Sequence, residues 1–208
     1  MKSSTVVITT IIVVIIVAIA GVYAYAWSGL YDIGADSHHT KPVEQLIGTL
    51  RRNSIARRTQ DLTPPNLDDP ALVQAGAGHY AGMCTGCHLA PGKSDNAMRK
   101  GLYPHPPTLT KFKPNPRDAF WAIKHGIKMS AMPHWGDTLD DGAIWSIVAF
   151  LQKMPDMTQV QYQNLVALAH GTGGMGGAQP AAAAAGPAGA ATAGVPAKPT
   201  STSPNAGQ

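Results

Sequence analysis

Cys84-Thr85-Gly86-Cys87-His88 is the stretch on which the reading of this chain turns. Two thiols three positions apart, followed at once by an imidazole, form the attachment pattern of a c-type haem. Each thiol adds to one haem vinyl group as a thioether. A helical turn takes about 3.6 residues, so Cys84 and Cys87 fall along one edge of the porphyrin. His88 then lies under the iron and supplies an axial nitrogen. Thr85 and Gly86 are small and leave the macrocycle room to approach. A redox dithiol has no need of the histidine. A zinc site normally needs a second Cys or Cys/His pair, and the chain has only 2 cysteines, so a site of three or four thiolates is excluded. A disulfide across so short a loop would be strained. The expectation is one covalent haem c with its iron.

Covalent haem attachment takes place outside the bacterial cytoplasm, and the N-terminus supplies a means of export. Residues 3–31 carry no Asp, Glu, Lys or Arg, and residues 6–20 are almost wholly Val, Ile, Ala and Thr. About 20 such residues span the hydrocarbon of a bilayer. Tyr23, Tyr25, Trp27 and Tyr31 stand at the far end, where amphipathic rings favour the interface. Ala24-Tyr25-Ala26 offers a cleavage spacing, but the apolar run is longer than the core of an ordinary signal peptide. The reading is an uncleaved anchor over residues 1–31. Lys2 precedes it while Asp32 and Asp36 follow; although Lys41 dilutes this asymmetry, it favours a single-pass protein with its body on the periplasmic side of the inner membrane.

Residues 32–69 read as a linker holding a short amphipathic helix from Val43 to about Arg58, with Arg51, Arg52, Arg57 and Arg58 on it. That helix either covers part of the downstream domain or lies against anionic lipid. His38 and His39 sit in the polar linker and carry no metal assignment. Asp69-Pro70 has the form of an N-cap and first helical position, opening a helix that runs to Met83. Residues 89–114 are rich in Pro and Gly and read as irregular, a length that needs a ligand to organise it. Leu102, Tyr103, Pro107 and Leu109 are candidates to pack on the haem faces. Asn115-Pro116 opens another helix, stopped by Gly126. Thr138-Leu139-Asp140-Asp141 resembles a capping sequence for the helix that ends at Pro155. A weak helix at 158–169 and an Ala/Gly/Pro-rich segment complete the chain. The folded domain is thus set at 70–155 and a weakly structured to disordered tail at 156–208.

The net charge of +4 does not point to nucleic acid, because no basic cluster is interleaved with aromatics. Within residues 71–155 there are nine Lys/Arg against five Asp. This surplus suits haem propionates or an acidic partner surface, and equally an ordinary solvated face. Arg99, Lys100, Tyr103 and Trp135 are propionate candidates.

The sixth iron position separates the functions. A methionine thioether there closes the site and raises the potential. Met132, followed by Pro133, is the first candidate; Met129, His125 and His134 are the others. Pro107 offers a carbonyl to orient the His88 imidazole, with Pro91 as competitor.

The order of helix, Cys84-x-x-Cys87-His88, proline-rich loop, Met132-Pro133 loop and terminal helix resembles class I c-type cytochromes. Gly76-x-x-x-Tyr80 is similar to that family's Gly/aromatic contact with the last helix, where Trp145, Ile147 and Phe150 are available. Pro107-x-Leu109 is similar to its Pro-x-Leu element. Cys-His-Leu-Ala-Pro-Gly (87–92), Gly-Leu-Tyr-Pro (101–104) and Ala-Met-Pro (131–133) look most like membrane-anchored monohaem members from proteobacteria. The resemblance covers about 70–155. It implies a small all-α fold around one haem c, with electron transfer as its function. The partners implied are membrane redox proteins: a donor dehydrogenase or quinol oxidoreductase, and an acceptor oxidase or reductase. A haem enzyme or gas sensor with an open sixth position is the alternative, and a haem that only stabilises an anchored fold is a third.

Overall fold

Asp69-Pro70 starts the helix on which the downstream elements are assembled. In this computed structural model, which describes residues 2–171, all regular elements are helical. They are α1 (Lys2–Trp27), α2 (Lys41–Arg58), α3 (Pro70–Met83), α4 (Thr85–His88), α5 (Ala97–Lys100), α6 (Pro116–His125), α7 (Asp141–Lys153) and α8 (Gln159–Gly171), with short 3-10 turns at Leu109–Lys111 and Met154–Asp156. The architecture is all-α.

Local chemistry sets the helix ends. Asp69 accepts a hydrogen bond from the Ala71 amide at 2.9 Å, and Pro70, which lacks an N–H, loses nothing at the first position. Asn115 accepts from the amides of Arg117 and Asp118. Gly126 ends α6 with φ +65. The cap of α7 corrects the expectation: Asp140 accepts from the Ala143 amide at 2.8 Å, while the Thr138 hydroxyl donates backward to the Trp135 carbonyl.

The core lies where α3 crosses α7. A Cβ on Gly76 would stand 1.9 Å from the Ser146 carbonyl oxygen, so only glycine permits this approach of two backbones. Close contact brings Tyr80 and Phe150 together at 5.2 Å between ring centroids. Tyr80, Phe150, Ile144, Ile147, Val148 and Met154 are fully buried. Burial of an aliphatic or aromatic side chain of this size contributes about 1.5–3 kcal/mol. On the other side of α7, Phe120 of α6 stacks on Trp145 at 4.2 Å.

Two elements differ from the sequence expectation. The segment at 159–171 is a packed helix, with Tyr162 in the core and Ala169 against Gly78 of α3, so the folded region extends past residue 155. Periodicity there is weak because only a narrow stripe of α8 is covered. The segment 89–114 is not irregular throughout, since α5 and the Leu109–Lys111 turn organise it. The disordered segment expected beyond Gly171 lies outside the described residues.

Within Ser3–Trp27 of α1, the most apolar window of 18 residues has a mean hydropathy of 3.0, and none of it is buried. Twenty-five residues of helix measure about 37 Å, enough to cross about 30 Å of hydrocarbon. A signal sequence meets the same test. The linker is tied to the domain by rings: His38 stacks on Tyr103 and His39 meets the same ring edge-on, while Tyr31 Oη lies 2.6 Å from His39 Nδ1. Helix α2 starts at Lys41 with Pro42 in its first turn, two residues earlier than the pattern indicates. Its C-terminal end docks on α6 through Thr59 Oγ1, which donates to Asp118 Oδ1 at 2.9 Å, and through Arg117, which donates to the Gln60 carbonyl.

Candidate haem site

Cys84 is shared by two helices, as the last cap of α3 and the first of α4. Its amide donates to the Tyr80 carbonyl, and its own carbonyl accepts from the His88 amide at 2.9 Å. The motif is therefore one helical turn, and Cys84, Cys87 and His88 all line one cavity of about 540 Å³. The other walls are mainly apolar and include Leu109, Ile123, Ile127, Ile147 and Leu151. A concave apolar space with a few convergent polar groups is the usual form of a cofactor site.

The His88 ring is oriented by the proline-rich segment after the motif. Its Nδ1 lies 2.9 Å from the Pro107 carbonyl oxygen. A carbonyl only accepts, so Nδ1 carries the proton and Nε2 keeps its lone pair. Burial is the largest influence on this imidazole and holds its pKa below the ordinary 6.5. The Pro107 bond acts the other way, and the positive charge of Arg99 acts with burial. The neutral ring is the form that ligates a metal. Pro91, the competing acceptor, does not take this bond.

Leu89, the next residue, has φ +64 and ψ 179, a backbone region kept almost entirely for glycine. The Tyr80 hydroxyl donates to its carbonyl at 2.6 Å and holds it there. Burial raises the Tyr80 pKa, so the hydroxyl remains a donor. Burial also pushes the Cys84 thiol up to about 12, with Cys87 adding to the shift.

Among the four candidates for the sixth position, Met132 lines the cavity and the other three do not. Met129 is 87% exposed with φ +59. His125 packs against Trp121, and His134 Nε2 lies 2.8 Å from Asp137 Oδ2 on the surface. The loop holding Met132 closes on itself: the Ile127 amide donates to the Met132 carbonyl, and the amides of Trp135 and Gly136 donate to the Ile123 and Lys124 carbonyls at the end of α6. Gly126 makes this possible, because a Cβ there would lie 2.7 Å from His134 N and Pro133 C.

Other candidates are redistributed. Pro107, Leu109 and Trp135 line the cavity; Leu102, Arg99, Lys100 and Tyr103 do not. Tyr103 is engaged by His38 and His39 instead. Sequence reasoning missed Arg51 and Ile55 of α2 as cavity wall. Their separation of four residues puts them on one helix face, which was the available signal. Arg51 is the one arginine or lysine lining the cavity among the described residues, so an anionic edge of a ligand has a cation to meet.

Two thiols one turn apart, an imidazole with its outer nitrogen engaged, and a thioether on a closed loop all face this apolar space. The donor set fits haem c. Residues 71–151 match the family described as cytochrome c oxidase, cbb3-type, subunit III. This is a class I c-type cytochrome domain. No curated protein and no solved structure matches the chain. The cytochrome domain implies a haem c cofactor, redox partners and an electron-carrying role. Helix α1, the linker with α2, and α8 lie outside the matched span.

Proposed function

We propose that this chain is a membrane-anchored monohaem cytochrome that carries electrons in a respiratory or dehydrogenase-linked chain. Cys84 and Cys87 would hold one haem c through thioethers, and His88 and Met132 would supply the two ligands to its iron. Bound there, the haem supplies a one-electron ferric/ferrous couple. The chain's own residues orient the proximal imidazole through Pro107, exclude water with Leu109, Ile123 and Ile147, and cap the cavity with Ile55 and Arg51. The observation that carries this reading is that Met132 and His88 line the same apolar cavity while Met129 stands in solvent. Held by both His88 and Met132, the iron would have no open position for a small molecule, which favours a carrier over an enzyme or gas sensor.

Helix α1 supports retention in the inner membrane, with the cytochrome domain on the periplasmic side where haem is attached. Donors are then a dehydrogenase or quinol oxidoreductase, and acceptors an oxidase or reductase, met at the bilayer surface. The family description of residues 71–151 as an oxidase subunit supports the respiratory setting. Absorption spectra of the purified haem-bound chain test the ligand set. Met132→Ala should lose the methionine–iron charge-transfer band and bind carbon monoxide; Met129→Ala should match the wild type. A wild type that lacks the band and binds carbon monoxide readily would overturn the carrier reading.

A further inference from the structure

His88 and Pro107 are nineteen residues apart, yet their hydrogen bond is made at 2.9 Å. Something must hold the Pro106–Thr108 segment in place over that distance. The segment has no regular structure before the 3-10 turn at Leu109, and its prolines donate no backbone hydrogen bond. The support comes from α5. Asn96 caps α5 by accepting from the Arg99 amide at 2.9 Å, and its own Nδ2 donates to the Gly86 carbonyl inside the haem motif at 2.9 Å. Arg99, one turn on, extends across to the proline segment. Its Nη2 donates to the Pro106 carbonyl at 2.8 Å and to Thr108 Oγ1 at 3.0 Å, so it grips the residue on each side of Pro107. Its Nη1 is held by Asp95 Oδ1 at 3.0 Å. The side chain is only 14% exposed.

We infer that Arg99 is the positioning residue for the proximal ligand: it clamps Pro106 and Thr108 so that the Pro107 carbonyl meets His88 Nδ1, and thereby sets the angle and basicity of the imidazole. The closed path runs Gly86, Asn96, Arg99, Pro106 and Thr108, Pro107, His88, and back into the motif. It rests on the reading of His88 as an axial ligand. A hydrogen bond to Nδ1 raises the electron donation of the ligating nitrogen. Stronger donation favours ferric iron, so loosening the clamp raises the reduction potential. The planar fork is essential, because a lysine is a point charge that cannot grip two acceptors in fixed geometry. The buried charge acts separately and favours ferrous iron, so its loss lowers the potential.

These opposed signs make the test specific. The haem-bound full-length chain is prepared as wild type, Arg99→Lys, Arg99→Met and Thr108→Val. Midpoint potentials and ferric electron paramagnetic resonance spectra are recorded for each. Arg99→Lys and Thr108→Val, which keep the charge and lose part of the grip, should shift the potential upward. Their low-spin signals should broaden or split, as the imidazole takes more than one orientation. Arg99→Met should lie below Arg99→Lys in potential and show the same broadening. Wild-type spectra and potentials in both Arg99→Lys and Thr108→Val would overturn the assignment. Thr108→Val removes only one hydroxyl, so it decides the matter alone if the arginine variants fail to accumulate. A wild type without a histidine-ligated low-spin signal would overturn the ligand reading and the clamp with it, and is told apart because the defect then precedes any substitution.

Discussion

Replacing Gly76 by alanine would place a methyl group 1.9 Å from the Ser146 carbonyl oxygen, 2.4 Å from its carbon and 2.9 Å from the Ile147 nitrogen. Ordinary contact for a Cβ begins near 3.4 Å. Helices α3 and α7 must therefore separate by about 1.5 Å along this line, because every obstacle is backbone and none can rotate away. A gap of about 0.5–1 Å already forfeits a quarter to a half of a van der Waals contact. The contacts at stake include Tyr80 on Phe150, both buried. Overpacking of this kind costs about 1–3 kcal/mol and sometimes more, and a backbone clash belongs at the upper end. The gain in helix propensity from Gly to Ala offsets about 1 kcal/mol. The expected loss is about 2 kcal/mol or more, which for a domain of this size lowers Tm by about 8–16 °C. The assay is thermal and guanidinium unfolding of the haem-bound chain followed by far-ultraviolet circular dichroism. Two further glycines calibrate it. Gly78→Ala meets only the Ala169 methyl at 3.0 Å and should change little, and Gly48→Ala on exposed α2 should hold or gain up to about 1 kcal/mol. A Gly76→Ala protein as stable as the wild type would refute the reasoning about the α3–α7 crossing.

Gly126→Ala should cost about 1–3 kcal/mol from its backbone conformation alone; it should also displace the Met132 loop, so an intact methionine–iron band in that variant would count against the loop's role. Tyr80→Phe leaves the Leu89 carbonyl without its donor and should destabilise by about 1–3 kcal/mol; an unchanged unfolding midpoint would show that the hydroxyl does not hold the strained residue. The carboxyls of Asp95 and Asp68 are held below the ordinary 3.8, chiefly by hydrogen bonds from Arg99 and Lys153. A lowered acid pKa means that the native state binds fewer protons than the unfolded one, so this stabilisation is complete above about pH 4 and lost as pH falls through the lowered values. Asp95→Asn with Asp68→Asn should flatten the acid limb of a stability–pH curve, and an unaltered limb would exclude both pairs as its cause.

Much of the fold was legible because short-range forces write it. Asp69 and Asn115 cap their helices through amides two or three residues on, and Gly126 stops α6 through its own φ. Such effects act within one turn, so the residue type announces them. The Cys84–His88 spacing is of this kind, since the vinyl groups and iron of one porphyrin demand it. At α7 the Thr138–Asp141 pattern points to Thr138 as the cap while Asp140 takes the role, because both residue types can cap and only backbone direction separates them. Helix α8 carries a weak pattern because Tyr162 and Ala169 are its buried residues, too few to mark a periodicity.

By itself, then, the sequence determined the attachment motif, the apolar N-terminal helix and the ends of the main helices. Tertiary structure alone decided which side chains meet around the motif. It turned Met132 inward and left Met129 in solvent, through a loop stitched to the end of α6. It chose Pro107 over Pro91 as the acceptor for His88, by way of Arg99 on a one-turn helix that no periodicity reveals. It also made Arg51 and Ile55, outside the matched domain, part of the cavity wall. A motif is set by bonds between near neighbours, whereas the shape of a cavity is set by how distant segments close over it. That closure depends on backbone hydrogen bonds, which every residue but proline can donate and every residue can accept.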